Sequence, residues 1–226
     1  MARNGLGRPE LMERPAATVN LIGGRLCLDF VNSVGARRTN RRGEPVIRDE
    51  KLNDCFDLIA WAQHAGAIAP RREALVLWKV ACERPGEARR IFRAALKLRE
   101  ALHRILRSSL ARRKLDRDDL ATLNEWLRKA RSARRITREH ERFGWTWNTP
   151  SVSLERILWL ISESAAELLT TGDLSRLRRC GGDDCGWIFE DNTRNRSRHW
   201  CDSRDCGNRD RVRRFRLHRS APGHSR

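Results

Sequence analysis

Residues 179–216 read RCGGDDCGWIFEDNTRNRSRHWCDSRDCGNRDRVRRFR, and this stretch holds four of the seven cysteines of the chain. The cysteines form two pairs, Cys180 with Cys185 and Cys201 with Cys206. Four residues separate the members of each pair, and fifteen residues separate the two pairs. This repeated spacing predicts two short loops that face each other. Gly186, directly after Cys185, suits a tight turn because glycine accepts a positive φ.

Four thiols on facing loops are the ligand set of a structural zinc ion, which needs tetrahedral donors about 2.3 Å from the metal. We therefore predict one structural Zn²⁺ held by the four cysteines. A disulfide is disfavoured in a reducing compartment, and a redox pair would be expected to show a two-residue gap. An iron–sulfur cluster takes the same ligands, and His199 is an alternative donor for one position. The spacing and the neighbouring elements favour zinc and four cysteines.

The segments around the cysteines predict a small zinc-binding module, residues 177–219, built from a β-hairpin and a helix. GWIFED and RSRHWC are strand-like and DNTRNR between them is turn-rich, so we expect these two segments to pair. After Cys206 the pattern predicts a short helix that docks through Val212 and Phe215. The module has few apolar residues. Metal binding, worth about 10–16 kcal/mol in apparent terms, would supply the missing stability, so we expect no folded module without zinc.

The charge balance favours a polyanionic partner. The 226-residue chain has a formal net charge of +18, with 42 arginines and 5 lysines, and a sequence pI near 11.2. Eleven arginines and only three acids fall within residues 192–226. Such a surplus attracts nucleic acid or an anionic membrane face. No stretch approaches 18 uninterrupted apolar residues and the N-terminus lacks a signal-peptide run, so we expect no membrane span and a cytoplasmic location.

Eight arginines of this surplus are predicted to contact nucleic acid, double-stranded DNA in the first place. Arginine forks can hold phosphate oxygens while one or two of them read a guanine edge. A solvated charged face is the alternative explanation. Trp187 and Trp200 are interpreted as core and not as stacking platforms for bases. The predicted contact residues are Arg194, Arg196, Arg198, Arg209, Arg211, Arg213, Arg214 and Arg216.

Residues 21–174 predict a mainly helical domain with a few short strands. Apolar residues recur every three or four positions in five segments, which lie between 52 and 66, 70 and 85, 86 and 114, 116 and 131, and 153 and 172. Phe143, Trp145 and Trp147 alternate with small residues and predict a strand, paired with residues 135–138. Residues 26–31 fit either a short strand or a buried helix.

The remaining expectations concern polar segments and isolated side chains. Residues 35–45 predict a basic loop, and residues 1–20 and 220–226 predict flexible tails. We expect Cys27, Cys55 and Cys82 to be buried small hydrophobes. Near the start of the helical domain, Arg25, Asp29 and Asn32 either line a ligand pocket or fix a turn, and the second interpretation is favoured.

Two stretches resemble known families. WCDSRDCGNR, residues 200–209, with RCGGDDCGWIFEDNTRNRSRHW before it, resembles the CGNR zinc finger, and GGRLCLDFVNS, residues 23–33, resembles the opening motif of the ABATE domain. The resemblance implies a mainly helical N-terminal domain, a treble-clef-like or ribbon-like zinc module, and a role as a stress-linked bacterial transcription regulator. It also implies that the four cysteines are zinc ligands, and that Gly207, Asn208 and Arg209 complete the motif.

These observations support two functional hypotheses. The first is a zinc-dependent, DNA-binding transcription regulator whose helical domain senses a small-molecule effector or mediates assembly, with a homodimer left open. The alternative is an RNA-binding or protein-interaction module in which zinc is only structural. We expect no enzyme, because four thiols saturate a zinc ion and no nucleophile stands beside a base at motif spacing.

Overall fold

The computed structural model describes residues 13–39, 45–69, 71–148 and 153–220. These ranges contain the helices α1 (Leu26–Val31), α2 (Cys55–His64), α3 (Arg72–Glu83), α4 (Pro85–Leu110), α5 (Arg117–Ala133), α6 (Glu155–Thr170) and α7 (Asn208–Ser220). The strands are β1 (Val34–Thr39), β2 (Pro45–Glu50), β3 (Arg134–Glu139), β4 (Arg142–Trp147), β5 (Leu177–Arg179) and β6 (Ile188–Glu190). They pair in sequence order as two-stranded antiparallel sheets. The predicted fold class, a mainly helical domain followed by a hairpin and a helix, is confirmed.

The five helices predicted from periodicity are α2 to α6, and local capping explains where several of them begin and end. The Asp54 side chain accepts a hydrogen bond from the backbone N–H of Asp57 at the start of α2. Asp116 does the same for Asp118 at the start of α5. After α2 the chain turns at Gly66, whose φ is +69°. The predicted strand pair of residues 135–138 and 143–147 is also confirmed, with Ile136 opposite Trp145.

Helix α4, 26 residues long, is the centre of the helical domain and contacts each of helices α1, α2, α3, α5 and α6. Its buried stripe includes Ile91, Ala95, Leu98 and Leu102. Burial of this stripe stabilises the domain, since each fully buried aliphatic side chain contributes about 1.5–3 kcal/mol. Among the described residues, none of the helices combines the length and apolar character that crossing a bilayer requires.

Two segments differ from their sequence-based interpretation. Residues 26–31 form helix α1, which lies buried against α6, and the ambiguity between strand and helix is thereby resolved. The predicted basic loop of residues 35–45 is wrong for residues 35–39 and for Pro45, because Val34–Thr39 and Pro45–Glu50 pair as a hairpin, and residues 40–44 lie outside the described residues. The hairpin could not be predicted from an alternating apolar pattern, because Arg37 occupies a buried position where a strand would normally have an apolar residue.

The predicted tail of residues 1–20 is wrong for residues 13–20. Ala16 and Val19 are buried in the main core, and the Arg14 guanidinium donates to Asp54 and Asp57 at 3.0 and 2.6 Å. The expectation for cysteines holds for Cys27 and Cys55 but fails for Cys82, which is exposed. Residues 1–12 of this predicted tail, and 221–226 of the C-terminal one, lie outside the described residues.

A buried ion network ties the β1–β2 hairpin to α4. Arg99 is 1% exposed and donates to both carboxylate oxygens of Glu50, at 2.6 and 2.5 Å, and to Glu100 at 3.0 Å. Arg37, 2% exposed, donates to both oxygens of Glu100, at 2.5 and 3.0 Å. Burial opposes the ionisation of Glu100, but the hydrogen bonds and charges of Arg37 and Arg99 outweigh it and lower the pKa of Glu100. The network therefore consists of charged groups.

Substituting Arg99→Met should destabilise the chain by about 2–4 kcal/mol, because Glu50 and Glu100 lose a buried bidentate partner while remaining partly buried themselves. The measurement is denaturant unfolding of the zinc-loaded chain. The control is Arg89→Met, at an exposed position on the same helix, for which we expect a change within about 0.5 kcal/mol. Equal stability of the two variants would show that the network contributes nothing.

Candidate metal centre

The four predicted cysteines lie together in one buried cluster. Cys180 follows β5, Cys185 ends the turn towards β6, and Cys206 lies in a π-helical turn, Ser203–Gly207, that leads into α7. The four sulfur atoms lie within 4.8 Å of one another. The Sγ of Cys201 is 3.5 Å from that of Cys185 and 3.4 Å from that of Cys206. A zinc tetrahedron with 2.3 Å bonds has edges of about 3.8 Å, so the cluster has the size that one zinc ion requires.

Neighbouring donors are arranged to stabilise negative charge on the sulfurs. The backbone N–H groups of Gly182 and Cys201 donate to the Sγ of Cys180 at 3.5 and 3.3 Å. The Arg209 Nη2 donates to the Sγ of Cys206 at 3.1 Å. A zinc ion with four thiolates has a formal charge of −2, which these donors partly offset. The donor set and its surroundings therefore fit a structural zinc ion.

His199 lies outside this cluster. Its ring packs edge-on against Trp200, with ring centroids 4.2 Å apart, and its backbone carbonyl accepts from the N–H of Gly181. A Cβ on Gly181 would lie 2.3 Å from the Nε2 of His199, so a side chain at this position would displace the His199 ring. Among the described residues, the group close enough to hold a metal consists of the four cysteines alone.

The four thiols by themselves do not all ionise. Hydrogen bonds from the thiols of Cys185 and Cys201 hold the pKa of Cys180 far below its usual range. The same hydrogen bonds, and the negative charge on Cys180, raise the pKa of Cys185 and Cys201. Several thiolates in one small volume repel each other unless a cation lies between them. The cluster therefore favours a dication that can displace the remaining thiol protons.

The chain returns to the cluster differently from the predicted hairpin. Strand β6, within GWIFED, pairs with β5 and not with the RSRHWC segment, so that part of the prediction is wrong. Instead, buried Asp191 organises the turn that follows β6. Its Oδ1 accepts from the N–H and hydroxyl of Thr193, and its Oδ2 accepts from the N–H of Arg198. This turn brings Cys201 back against the first pair.

The cysteine module is docked on the helical domain by hydrogen bonds. The Asn32 side-chain amide donates to the carbonyl of Ile188 and accepts from its N–H, at 2.8 and 3.1 Å. The Trp187 indole N–H donates to the carbonyl of Val34 at 2.9 Å. Ile188 is fully buried in the main core. The two predicted domains therefore share a continuous packed interface.

Gly186 lies where the cysteine module contacts the β1–β2 hairpin. Its φ is +71°, and the N–H of Arg37 donates to the carbonyl of the preceding Cys185 at 2.8 Å. A Cβ on Gly186 would lie 2.7 Å from the carbonyl oxygen of Arg37. The glycine predicted for a tight turn is therefore also required for the docking of β1 against the metal-binding loop.

Two family models match this architecture. Residues 24–172 match ABATE, described as "Putative stress-induced transcription regulator", and residues 176–219 match the CGNR zinc finger. The chain belongs to the ABATE family. Its CGNR zinc finger has four cysteines that are close enough to hold one zinc ion. A comparison with curated proteins found no significant match.

Residues near the start of the ABATE domain fix its contact with the zinc finger. Arg25 Nε donates to the carboxylate of Glu190 at 2.9 Å. Asp29 accepts from the N–H of Gly23 at 2.8 Å, and burial raises the pKa of Asp29 to about 6. Together with Asn32, they support the interpretation as turn-fixing residues. Sequence reasoning missed that the turn serves to hold the zinc finger.

Helix α7 is exposed, contrary to the predicted docking through Val212 and Phe215. These side chains are 40% and 60% exposed, and Leu217 is 65% exposed. The helix is attached through the π-helical turn that contains Cys206 and through an ion pair between Arg213 and Asp183. With two apolar residues three positions apart, the sequence indicates an amphipathic helix but not what covers it.

The eight arginines predicted to contact nucleic acid differ in their burial and in their contacts. Arg198 is half-buried, donates to the carbonyls of Ile22, Trp200 and Cys201, and stacks over Phe189 at 4.2 Å. It therefore holds the CGNR zinc finger together. The other seven are exposed. Of these, Arg196 pairs with Asp173 at 3.2 Å, at the end of the ABATE domain.

Zinc affinity should fall as the pH is lowered. The raised pKa of Cys185 and Cys201 means that both thiols are protonated near neutral pH, so zinc binding must release at least these protons. Because two protons are released, we expect the apparent affinity to fall by about a hundredfold for each pH unit between pH 8 and 6. The measurement is competition with a chromophoric chelator, corrected for protonation of the chelator. A pH-independent affinity would contradict thiolate ligation.

Proposed function

We propose that this ABATE-family chain is a zinc-dependent, DNA-binding transcription regulator. Cys180, Cys185, Cys201 and Cys206 hold one structural zinc ion, and the arginines of α7 contact the phosphate backbone of double-stranded DNA. The helical domain senses a small-molecule effector or mediates assembly, a homodimer included. The chain acts in the cytoplasm and has no catalytic role, because four thiols leave zinc no open position for water.

The observation that supports this proposal most is the exposed, basic surface of α7. The helix has six arginines and one acid, Asp210, which is shared by Arg213 at 2.9 Å and Arg214 at 2.6 Å. The Asp210 side chain is only 9% exposed, but both of its arginine partners are exposed, and six arginines against one acid leave guanidinium groups that a polyanion can contact. Asp205 similarly pairs with Arg209 at 3.1 Å. The surplus of guanidinium groups is therefore available to a polyanion.

The dimensions and face pattern of α7 suit a duplex groove. Thirteen residues span about 20 Å, and the major groove of B-DNA, about 12 Å wide, admits an α-helix. At 100° per residue, Val212 and Phe215 lie on one face, with Arg211 on one flank and Arg216 on the other. Such an apolar stripe can contact thymine methyl groups while the flanking arginines reach phosphates or guanine edges.

The alternative, an RNA-binding or protein-interaction module, is favoured by the β3–β4 hairpin. One face of this hairpin exposes Ile136, Phe143 and Trp145, by 60%, 75% and 63%. The Arg134 guanidinium lies over the Trp145 ring at 5.1 Å. Exposed aromatic rings beside arginines can stack on unpaired bases. Tighter binding of single-stranded RNA than of duplex DNA at equal salt would favour this alternative.

The double substitution Arg211→Gln/Arg214→Gln should weaken duplex binding and reduce its salt dependence. Each lost phosphate contact lowers the slope of log affinity against log salt by about 0.9, so we expect a decrease of about 1.8. Fluorescence anisotropy with a mixed-sequence duplex measures this slope, at salt concentrations from about 50 to 200 mM. The control, Arg89→Gln/Arg93→Gln, removes the same charge from an exposed face of α4. Identical slopes for both variants would exclude α7 as the contact surface.

The zinc requirement is tested in the same assay with Cys201→Ser, which removes a predicted ligand. Its control is Cys82→Ser, which removes an exposed thiol of α3. We expect no duplex binding by the first variant and unchanged binding by the second. If Cys201→Ser binds as well as its control, the zinc finger is not the DNA-binding element.

A further inference from the structure

A cleft with a volume of about 580 Å³ lies where the C-terminal end of α4 and the start of α5 approach strand β5. Five cations line it. Arg104 pairs with Asp119, and the other four are Arg107, Arg113 and Lys114 from the ABATE domain and Arg179 from the CGNR zinc finger. In the part of the chain that the structure describes, no carboxylate forms an ion pair with any of these four. The cleft therefore concentrates positive charge from both domains.

The two carboxylates in the same lining are already engaged. Asp119 accepts from the Nε and Nη2 of Arg104 at distances from 2.6 to 3.1 Å. The Oδ1 of Asp116 caps α5 by accepting from the N–H of Asp118 at 2.8 Å. Five cations and two carboxylates line the cleft, which leaves a formal surplus of three positive charges.

The crowding of these cations affects the pKa of Arg107. Burial, followed by the charges of Arg179, Arg113 and Arg37, lowers the pKa of Arg107. Cations near the C-terminal end of a helix are favoured by its dipole, and this explains Arg107 in the last turn of α4. It does not explain Arg179, which reaches the same cleft from β5. Like charges held together without a counter-ion repel one another, and a bound anion would remove this repulsion.

We propose that this cleft binds the phosphoryl group of a small-molecule effector, with Arg107, Arg113 and Arg179 as its main contacts. Arginine forks match the oxygens of a phosphate and form charge-assisted hydrogen bonds to them. Arg179 directly precedes Cys180, and its strand pairs with β6. A ligand held here links the ABATE domain to the loop that supplies the first pair of cysteines. The effector role rests on the proposed DNA-binding function, whereas binding of phosphate itself does not.

The direct test is calorimetric titration of the zinc-loaded full chain with inorganic phosphate, at constant ionic strength set with chloride. The variant is Arg107→Gln/Arg179→Gln, and the matched control is Arg89→Gln/Arg93→Gln, which removes the same charge elsewhere. We expect one phosphate per chain with equal affinity for wild type and control, and an affinity at least about tenfold weaker for the variant. Equal binding by all three proteins, or no saturable binding by the wild type, would overturn the proposal.

Thermal unfolding distinguishes a ligand site from a structural role of the arginines. Without phosphate, Arg107→Gln/Arg179→Gln should melt no lower than the wild type, because it loses repelling charges. Phosphate at ten times its Kd should raise the Tm of the wild type by about 3–6 °C and leave that of the variant unchanged. A variant that melts well below the wild type without phosphate would show that the arginines serve the fold, and the proposal would fail.

The phosphoryl group could belong to a small-molecule effector or to the DNA backbone. Adding a short DNA duplex to the phosphate titration distinguishes these two sources. If the duplex and phosphate bind together and phosphate changes the duplex affinity, the cleft is an effector site. Displacement of phosphate by the duplex would assign the cleft to the DNA backbone and overturn the effector role. Failure of the duplex to bind would contradict the proposed function while leaving the phosphate isotherm intact.

Discussion

Four sulfur atoms within 4.8 Å of one another cannot all carry a negative charge unless a cation lies between them, and the structure of the C-terminal part depends on this constraint. Among the described residues, the buried cluster around the sulfurs adds Trp187 and Phe189, with Ile22 and Trp200 partly buried against it. So small an apolar core cannot by itself offset the conformational entropy of the loops. Bonds from a metal ion to the two distant cysteine pairs supply the missing stability. They also fix the π-helical turn from which α7 projects.

The zinc finger is not an appendage of the helical domain. Asn32 and Trp187 join the two parts by hydrogen bonds, and Ile188 completes the core of the ABATE domain. The backbone of Arg37 contacts the metal-binding loop while its guanidinium joins the buried network at Glu100 on α4. A continuous path of packed and charged groups thus connects the central helix to the first cysteine pair.

The sequence was informative where one physical pattern dominated. The 3.6-residue repeat located α2 to α6, and the equal spacing of two cysteine pairs located the metal cluster. Prediction failed where a tertiary contact decides the outcome. The β1–β2 hairpin buries Arg37 because Glu100 is opposite it, and nothing local reveals that partner. The exposed state of Phe215 was equally hidden, since spacing indicates an apolar face but not its neighbour. Arg99 could have indicated the buried ion network, because it is a charged residue inside the apolar stripe of α4.

The most direct measurement is X-ray absorption at the zinc edge of protein purified without chelators, combined with the metal content per chain. We expect one zinc ion per chain, with four sulfur neighbours at about 2.3 Å and no lighter donor. A shell that contains nitrogen or oxygen, or protein that folds and retains α7 without any tightly bound metal, would contradict the central role given to the four cysteines.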